Sequence, residues 1–130
     1  MQAVNASDVV GLFAALEHTF ATEREFLIAL DGKVGDSDLG ITMSKSFAAA
    51  HATVAAETAL PVGKLLGKAG PAIAKAAPST MGTLTATGFM RGGKALEAAA
   101  AIGTAETPAF WRAYRDGVQE RGKAKLGDKT

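Results

Sequence analysis

Apolar positions in the first thirty residues recur in steps of three and four: Val9, Val10, Phe13, Leu16, Phe20, Phe26, Leu27 and Leu30. Polar Glu17, Thr22 and Arg24 fall largely off that stripe. This is the period of an amphipathic helix, and Ser7-Asp8 supplies a start signal, so one helix is predicted from about Ser7 to Leu30. A second is predicted from near Gly40 through Met43, Phe47 and Ala50 toward Ala56. The third opens at Pro61 and carries Leu65, Leu66, Ile73 and Ala77. Within it, Gly70-Pro71 should kink or break the helix, because proline removes a backbone donor and clashes with the preceding turn.

After "PSTMGT" (78–83) the apolar positions Leu84, Phe89 and Met90 continue a helical pattern, and "LEAAAAIGTAE" reads as a helix end followed by a loop. The last helix opens at Thr107-Pro108, read as an N-cap and a first-turn proline. It carries Phe110, Trp111, Tyr114 and Val118 and ends near Arg121-Gly122. No alternating stretch of useful length suggests a strand, and no heptad repeat is sustained. The predicted fold class is all-α, one domain over residues 1–130, with helices joined by short loops. Its many alanines and glycines let helices approach closely but bury little area each, so the core needs several helices around it.

Charge and composition narrow the chemistry. Hydrophobic residues make up 48% and charged residues 21% of the 130, a globular balance. A net charge of +1 with scattered basic residues gives no strong pull toward nucleic acid or a membrane surface. No cysteine is present, which excludes disulfides, thiolate catalysis and cysteine-ligated zinc. The two histidines, His18 and His51, both sit in helical patterns and leave little for a histidine-based triad or zinc site. The N-terminus lacks a basic segment followed by an apolar core, and no apolar run is long enough to span a bilayer, so the expected location is the cytoplasm.

Three stretches carry candidate chemistry. "DGKVGDSDLGITM" (31–43) sets Asp31, Asp36 and Asp38 among Gly32 and Gly35. Hard carboxylate donors suit Mg²⁺ or Ca²⁺ rather than zinc, and the spacing is not that of an EF-hand. On pattern alone, a solvated loop between helices explains it equally well. "PSTMGT" offers the hydroxyls of Ser79, Thr80 and Thr83 at a helix start, where free N–H groups favour an anion, but the Walker A ending is absent. Most such clusters are simply caps. "RGKAKLGDKT" (121–130) places Arg121, Lys123 and Lys129 at a helix end, ordinarily a solvated terminus.

In this order the three stretches resemble the DhaL-type family, the nucleotide-binding subunit or domain of dihydroxyacetone kinases. The family's metal motif is similar to D-x-x-(I/V)-G-D-x-D-H-G-x-N-M, and residues 31–43 share its aspartates, internal glycines and closing methionine. "PSTMGT" stands where the family has a phosphate loop, and "RGKAKLGDKT" resembles its R-G-x-A-x-x-G-D-K-T segment. The resemblance implies an antiparallel helical barrel that binds ADP or ATP at one end through Mg²⁺. By position it assigns Asp31, Asp36 and Asp38 to the metals. It puts Leu39, Gly40 and Thr42 beside the nucleotide, Ser79, Thr80, Met81 and Gly82 on the phosphate loop, and Gly122 and Thr130 toward the adenine. It further implies a small ketose held by a separate substrate-binding subunit, and either free ATP or an ADP recharged by a phosphotransferase-system phosphocarrier.

The chain departs from the family pattern at Leu39 (histidine in the family), Thr42 (asparagine), Pro78 (glycine) and Met81 (serine). The family also continues with further helices beyond the Gly-Asp-Lys-Thr segment. Apolar faces left without them lead to an expectation of self-association, with helices exchanged between subunits. The alternative reading is a non-catalytic helical interaction module that keeps the fold without turnover.

Overall fold

A computed structural model describes residues 3–128; Lys129 and Thr130, the latter assigned toward the adenine, lie outside the described residues. Six helices follow in order: α1 (Ala6–Thr22), α2 (Arg24–Asp31), α3 (Leu39–Ala56), α4 (Val62–Ala76), α5 (Thr80–Ala95) and α6 (Glu106–Gly122). Among the described residues there is no strand, only an isolated bridge between Val4 and Ile102. Among the described residues no helix is long and apolar enough to cross a membrane.

The helices pack in sequence, α1 on α3, α3 on α4, α4 on α5 and α5 on α6, as short connections between antiparallel neighbours require. The buried side chains Val9, Phe13, Phe47, Leu65, Ile73, Phe89 and Phe110 form one core. Phe13 and Phe89, on α1 and α5, meet across it with ring centroids 5.4 Å apart. Where α4 crosses α5, glycines replace side chains. A Cβ at Gly63 would lie 1.8 Å from the Leu96 carbonyl oxygen, and one at Gly93 2.4 Å from the Gly67 nitrogen. This is the close approach expected from small residues, which trades buried area for backbone proximity.

Three boundaries differ from the sequence expectation. The long first helix is two. At Glu23 (φ −91°, ψ 6°) the chain leaves α1 and re-enters a helix at once, its N–H bonded to Thr19 and its carbonyl accepting from Leu27. The redirected α2 lays Ile28 against α3 and leaves Phe26 and Leu30 at 61% and 45% exposure, so those two belong to no buried stripe. Second, α4 is not broken at Gly70-Pro71. Pro71 is exposed, while buried Ala69, Gly70 and Ile73 hold the helix between its neighbours and override the local penalty. Third, α6 begins at Glu106. Thr107 does not cap it but donates its hydroxyl to the Gly103 carbonyl, and Pro108 is third in the helix.

Candidate functional site

The alternating directions of the helices bring the end of α2, the starts of α3 and α5 and the end of α6 to one end of the molecule. Two contacts fix this. The Thr42 and Ser79 hydroxyls lie 3.5 Å apart, joining α3 to α5, and Gly122 at the end of α6 packs beside Leu84 of α5. The first two chemistry-bearing stretches therefore meet there, and the third begins beside α5 at Gly122.

Asp31 is the last residue of α2, Asp36 lies in the connecting loop and Asp38 is the N-cap of α3. One ligand atom from each lies within 4.8 Å of the others. Around a Mg²⁺ with ligands near 2.1 Å, adjacent oxygens sit about 3.0 Å apart and opposite ones about 4.2 Å. A spread of up to 4.8 Å is wider than that sphere, so the carboxylates would have to draw together slightly to hold a single cation. Crowding like charges has an electrostatic consequence. The Asp38 carboxyl is raised from its ordinary value, first by a side-chain hydrogen bond with Asp36, then by partial desolvation and by the charges of Asp36 and Asp31. A bound cation reverses that effect by favouring the charged forms.

The loop owes its shape to few residues. Ser37 adopts φ 64°, and the Gly35 N–H bonds to the Asp31 carbonyl at 2.6 Å. A Cβ at Gly35 would lie 2.3 Å from Asp31 Oδ1, so glycine leaves room for that carboxylate. Asp31 Oδ2 accepts from the N–H groups of Asp38 (3.0 Å) and Leu39 (3.2 Å). Sequence reasoning missed this role, because the contact spans seven residues and no capping motif has that spacing.

The second component is the start of α5. Ser79 is its N-cap and accepts from the Gly82 N–H at 3.1 Å, while the Thr83 N–H bonds to the Ser79 carbonyl. The amides of Thr80 and Met81, in the first turn, have no intrahelical acceptor and point with the helix dipole toward the site end. Thr80 is exposed, and Met81 is 43% exposed.

Two of the residues that the resemblance assigns to the nucleotide site are also tightly packed. Gly40 is buried, and a Cβ there would lie 2.2 Å from the Arg24 carbonyl oxygen of α2. Gly82 is buried, with a Cβ position 1.9 Å from the Ala77 carbonyl oxygen. Thr42 is buried and turned onto Ser79, and Leu39 is half-buried at the first position of α3. Gly122 is exposed at the rim. Nearby, Arg121 and Lys123 line a shallow cleft with Thr87, Gly117 and the Arg91–Glu120 ion pair (2.5 Å).

Residues 33–130 match the DAK2 domain family. Over 127 residues the chain is 30% identical to the PEP-dependent dihydroxyacetone kinase, ADP-binding subunit DhaL, of Escherichia coli (strain K12). That alignment covers 98% of this chain and 60% of the relative's length. The helical fold, the order of the three stretches and the match over most of the chain place it: this protein belongs to the DAK2, or DhaL-type, family.

Proposed function

We propose that this chain is the nucleotide-holding part of a dihydroxyacetone-kinase-like phosphotransferase, with Asp31, Asp36 and Asp38 binding Mg²⁺ and the start of α5 facing the phosphates of ADP or ATP. The observation that carries the reading is the convergence of three carboxylates within 4.8 Å at the same end as the capped start of α5. Hard oxygen donors beside a helix N-terminus suit a magnesium-bound polyphosphate better than either ion alone. When bound, Mg²⁺ supplies charge neutralisation at the phosphate oxygens. Phosphoryl transfer needs little beyond such neutralisation and alignment, so no protein nucleophile is required on this chain.

The phosphoryl acceptor in this reading is a small ketose presented by a separate subunit. The donor is free ATP or a retained ADP recharged by a phosphotransferase-system phosphocarrier. Association of the chain with copies of itself belongs to the same proposal, since Leu12, Phe26 and Trp111 are each at least half exposed. One observation favours the alternative of a non-catalytic interaction module: Gly40 and Thr42 are committed to helix packing.

Calorimetric titration with ADP and ATP, with and without Mg²⁺, tests the choice. The expected result is Mg²⁺-dependent nucleotide binding that weakens by about tenfold or more in Asp36→Ala, a loss of roughly 1.4 kcal/mol or more. The kinase reading is falsified if neither nucleotide binds with Mg²⁺ present, or if Asp36→Ala binds as the parent does. A chain that binds nucleotide also melts higher in its presence, by mass action on the folded state.

A further inference from the structure

Asp38 occupies the N-cap of α3, yet its side chain makes no capping hydrogen bond. The capping role is filled from another element. Asp31, at the end of α2, receives the N–H groups of Asp38 and Leu39 on its Oδ2, at 3.0 and 3.2 Å. From these contacts we infer that Asp31 is a latch: it closes the metal loop and holds Asp38 in place before any cation arrives. It is thus a positioning residue as well as a candidate ligand. The latch itself stands independently of the proposed function; only its consequence for metal affinity rests on that reading.

The remainder of the loop is built around the latch. The Gly35 N–H returns to the Asp31 carbonyl, and Gly35 has no side chain to strike Asp31 Oδ1. A Cβ at Gly32 would lie 2.7 Å from the hydroxyl of Ser37, the residue that takes the left-handed backbone conformation. Charge-assisted hydrogen bonds at a helix N-terminus are among the stronger ones available to a surface carboxylate. They offset part of the repulsion among the three aspartates in the absence of metal. The consequence is a division of labour. Asp31 has one oxygen accepting from the backbone and one left over, while the Asp38 side chain accepts no capping hydrogen bond from its helix. A loop held this way loses less conformational freedom when the ion binds, which raises affinity through preorganisation.

The test separates the latch from the ligand. In metal-free buffer with chelator, the amide hydrogens of Asp38 and Leu39 are followed by exchange in the parent, Asp31→Ala, Asp31→Asn, Gly35→Ala and Asp36→Ala. The latch predicts exchange about tenfold faster or more in Asp31→Ala and a smaller acceleration in Gly35→Ala, with Asp31→Asn close to the parent because its amide oxygen still accepts. Asp36→Ala leaves both amides protected. Mn²⁺ titration without nucleotide then reads the consequence: Asp31→Asn retains part of the affinity that Asp31→Ala loses. Unchanged protection in both Asp31→Ala and Gly35→Ala overturns the latch, as does an Asp31→Asn protein as unprotected as Asp31→Ala. Should Asp31→Ala fail to fold, Gly35→Ala and Asp31→Asn decide alone. Absence of Mn²⁺ binding in the parent counts against the metal reading, while the exchange result still decides the latch.

Discussion

Two helix starts lie side by side at the candidate site, and they are finished in opposite ways. The start of α5 is capped from within: Ser79 bonds the N–H of Gly82, three residues on, and leaves the Thr80 and Met81 amides facing outward. The start of α3 is capped from outside, by the carboxylate of Asp31 on the preceding helix. A local cap makes a helix start that stands by itself, open to an anion. A distant cap ties the helix start to whatever else the capping residue does, and here Asp31 is also one of three clustered carboxylates. One end of the molecule thus holds an autonomous anion-facing start beside one whose geometry depends on the aspartate loop.

Both starts contain a glycine pressed on a backbone carbonyl, and substituting these gives the largest expected effects. A Cβ at Gly40 would meet the Arg24 oxygen at 2.2 Å, and one at Gly82 the Ala77 oxygen at 1.9 Å. Neither neighbour is a flexible side chain, so each alanine variant should lose about 3 kcal/mol in thermal or urea unfolding. The two differ in what moves. Ala77 and Gly82 belong to one tight turn, so Gly82→Ala distorts locally. Gly40→Ala pushes α2 away from α3 and with it the latch, so under the proposed function it should also weaken the rise in melting temperature expected with Mg²⁺. Equal metal-linked rises in the two variants would remove the distinction between the starts.

The caps themselves come next. Ser79→Ala removes an N-cap hydroxyl and is expected to lose about 1 kcal/mol. Thr42→Val, which takes away only the 3.5 Å contact to Ser79, should lose about 0.5 kcal/mol. If Thr42→Val proves as damaging as Ser79→Ala, the α5 start is not autonomous and leans on α3.

This contrast also marks how far the sequence could be read. The cap of α5 was legible because Ser79 and the amide it serves are three residues apart, within a motif of turn formers. The convergence of Asp31, Asp36 and Asp38 was legible for the same reason, since a stretch of eight residues cannot carry them far apart. The latch was not, because it joins the end of one helix to the start of another, and such a contact exists only once α2 and α3 are docked. The break at Glu23 was hidden because no glycine or proline marks it and the apolar period continues through Phe26, Leu27 and Leu30. Gly40 carries two readings for a related reason. The motif assigns it to a ligand, whereas the packing of α2 accounts for its lack of a side chain.

One turn deeper, the two helices differ again. Thr85 of α5 is buried and donates its hydroxyl to the Met81 carbonyl at 2.8 Å. Ser46 of α3 is fully buried, and its hydroxyl has no partner in the structure. Thr85→Val should therefore lose about 1 kcal/mol in unfolding, while Ser46→Ala should be neutral or gain up to about 1 kcal/mol, because no hydrogen bond is given up. A destabilised Ser46→Ala protein would mean that this hydroxyl is satisfied in solution, and that the backing of α3 is as polar as that of α5.

The smallest effect is read against pH, through Tyr114 of α6, which stands behind Thr85. Burial pushes its phenol above the ordinary tyrosine value of 10.0, and a hydrogen bond with Thr85 pulls in the opposite direction without cancelling the rise. The folded state therefore holds the Tyr114 proton to higher pH than the unfolded chain does. Where the unfolded state binds fewer protons, stability falls as pH rises. This contribution is fully present below the unfolded value and is lost as pH climbs from about 10 through the raised value. Tyr114→Phe cannot ionise, so its unfolding curve should fall less steeply than the parent's in that window and run parallel to it below. Parallel curves throughout would show that the phenol is as well solvated folded as unfolded, and that α5 is no better backed by α6 at this depth than α3 is by its unpartnered serine.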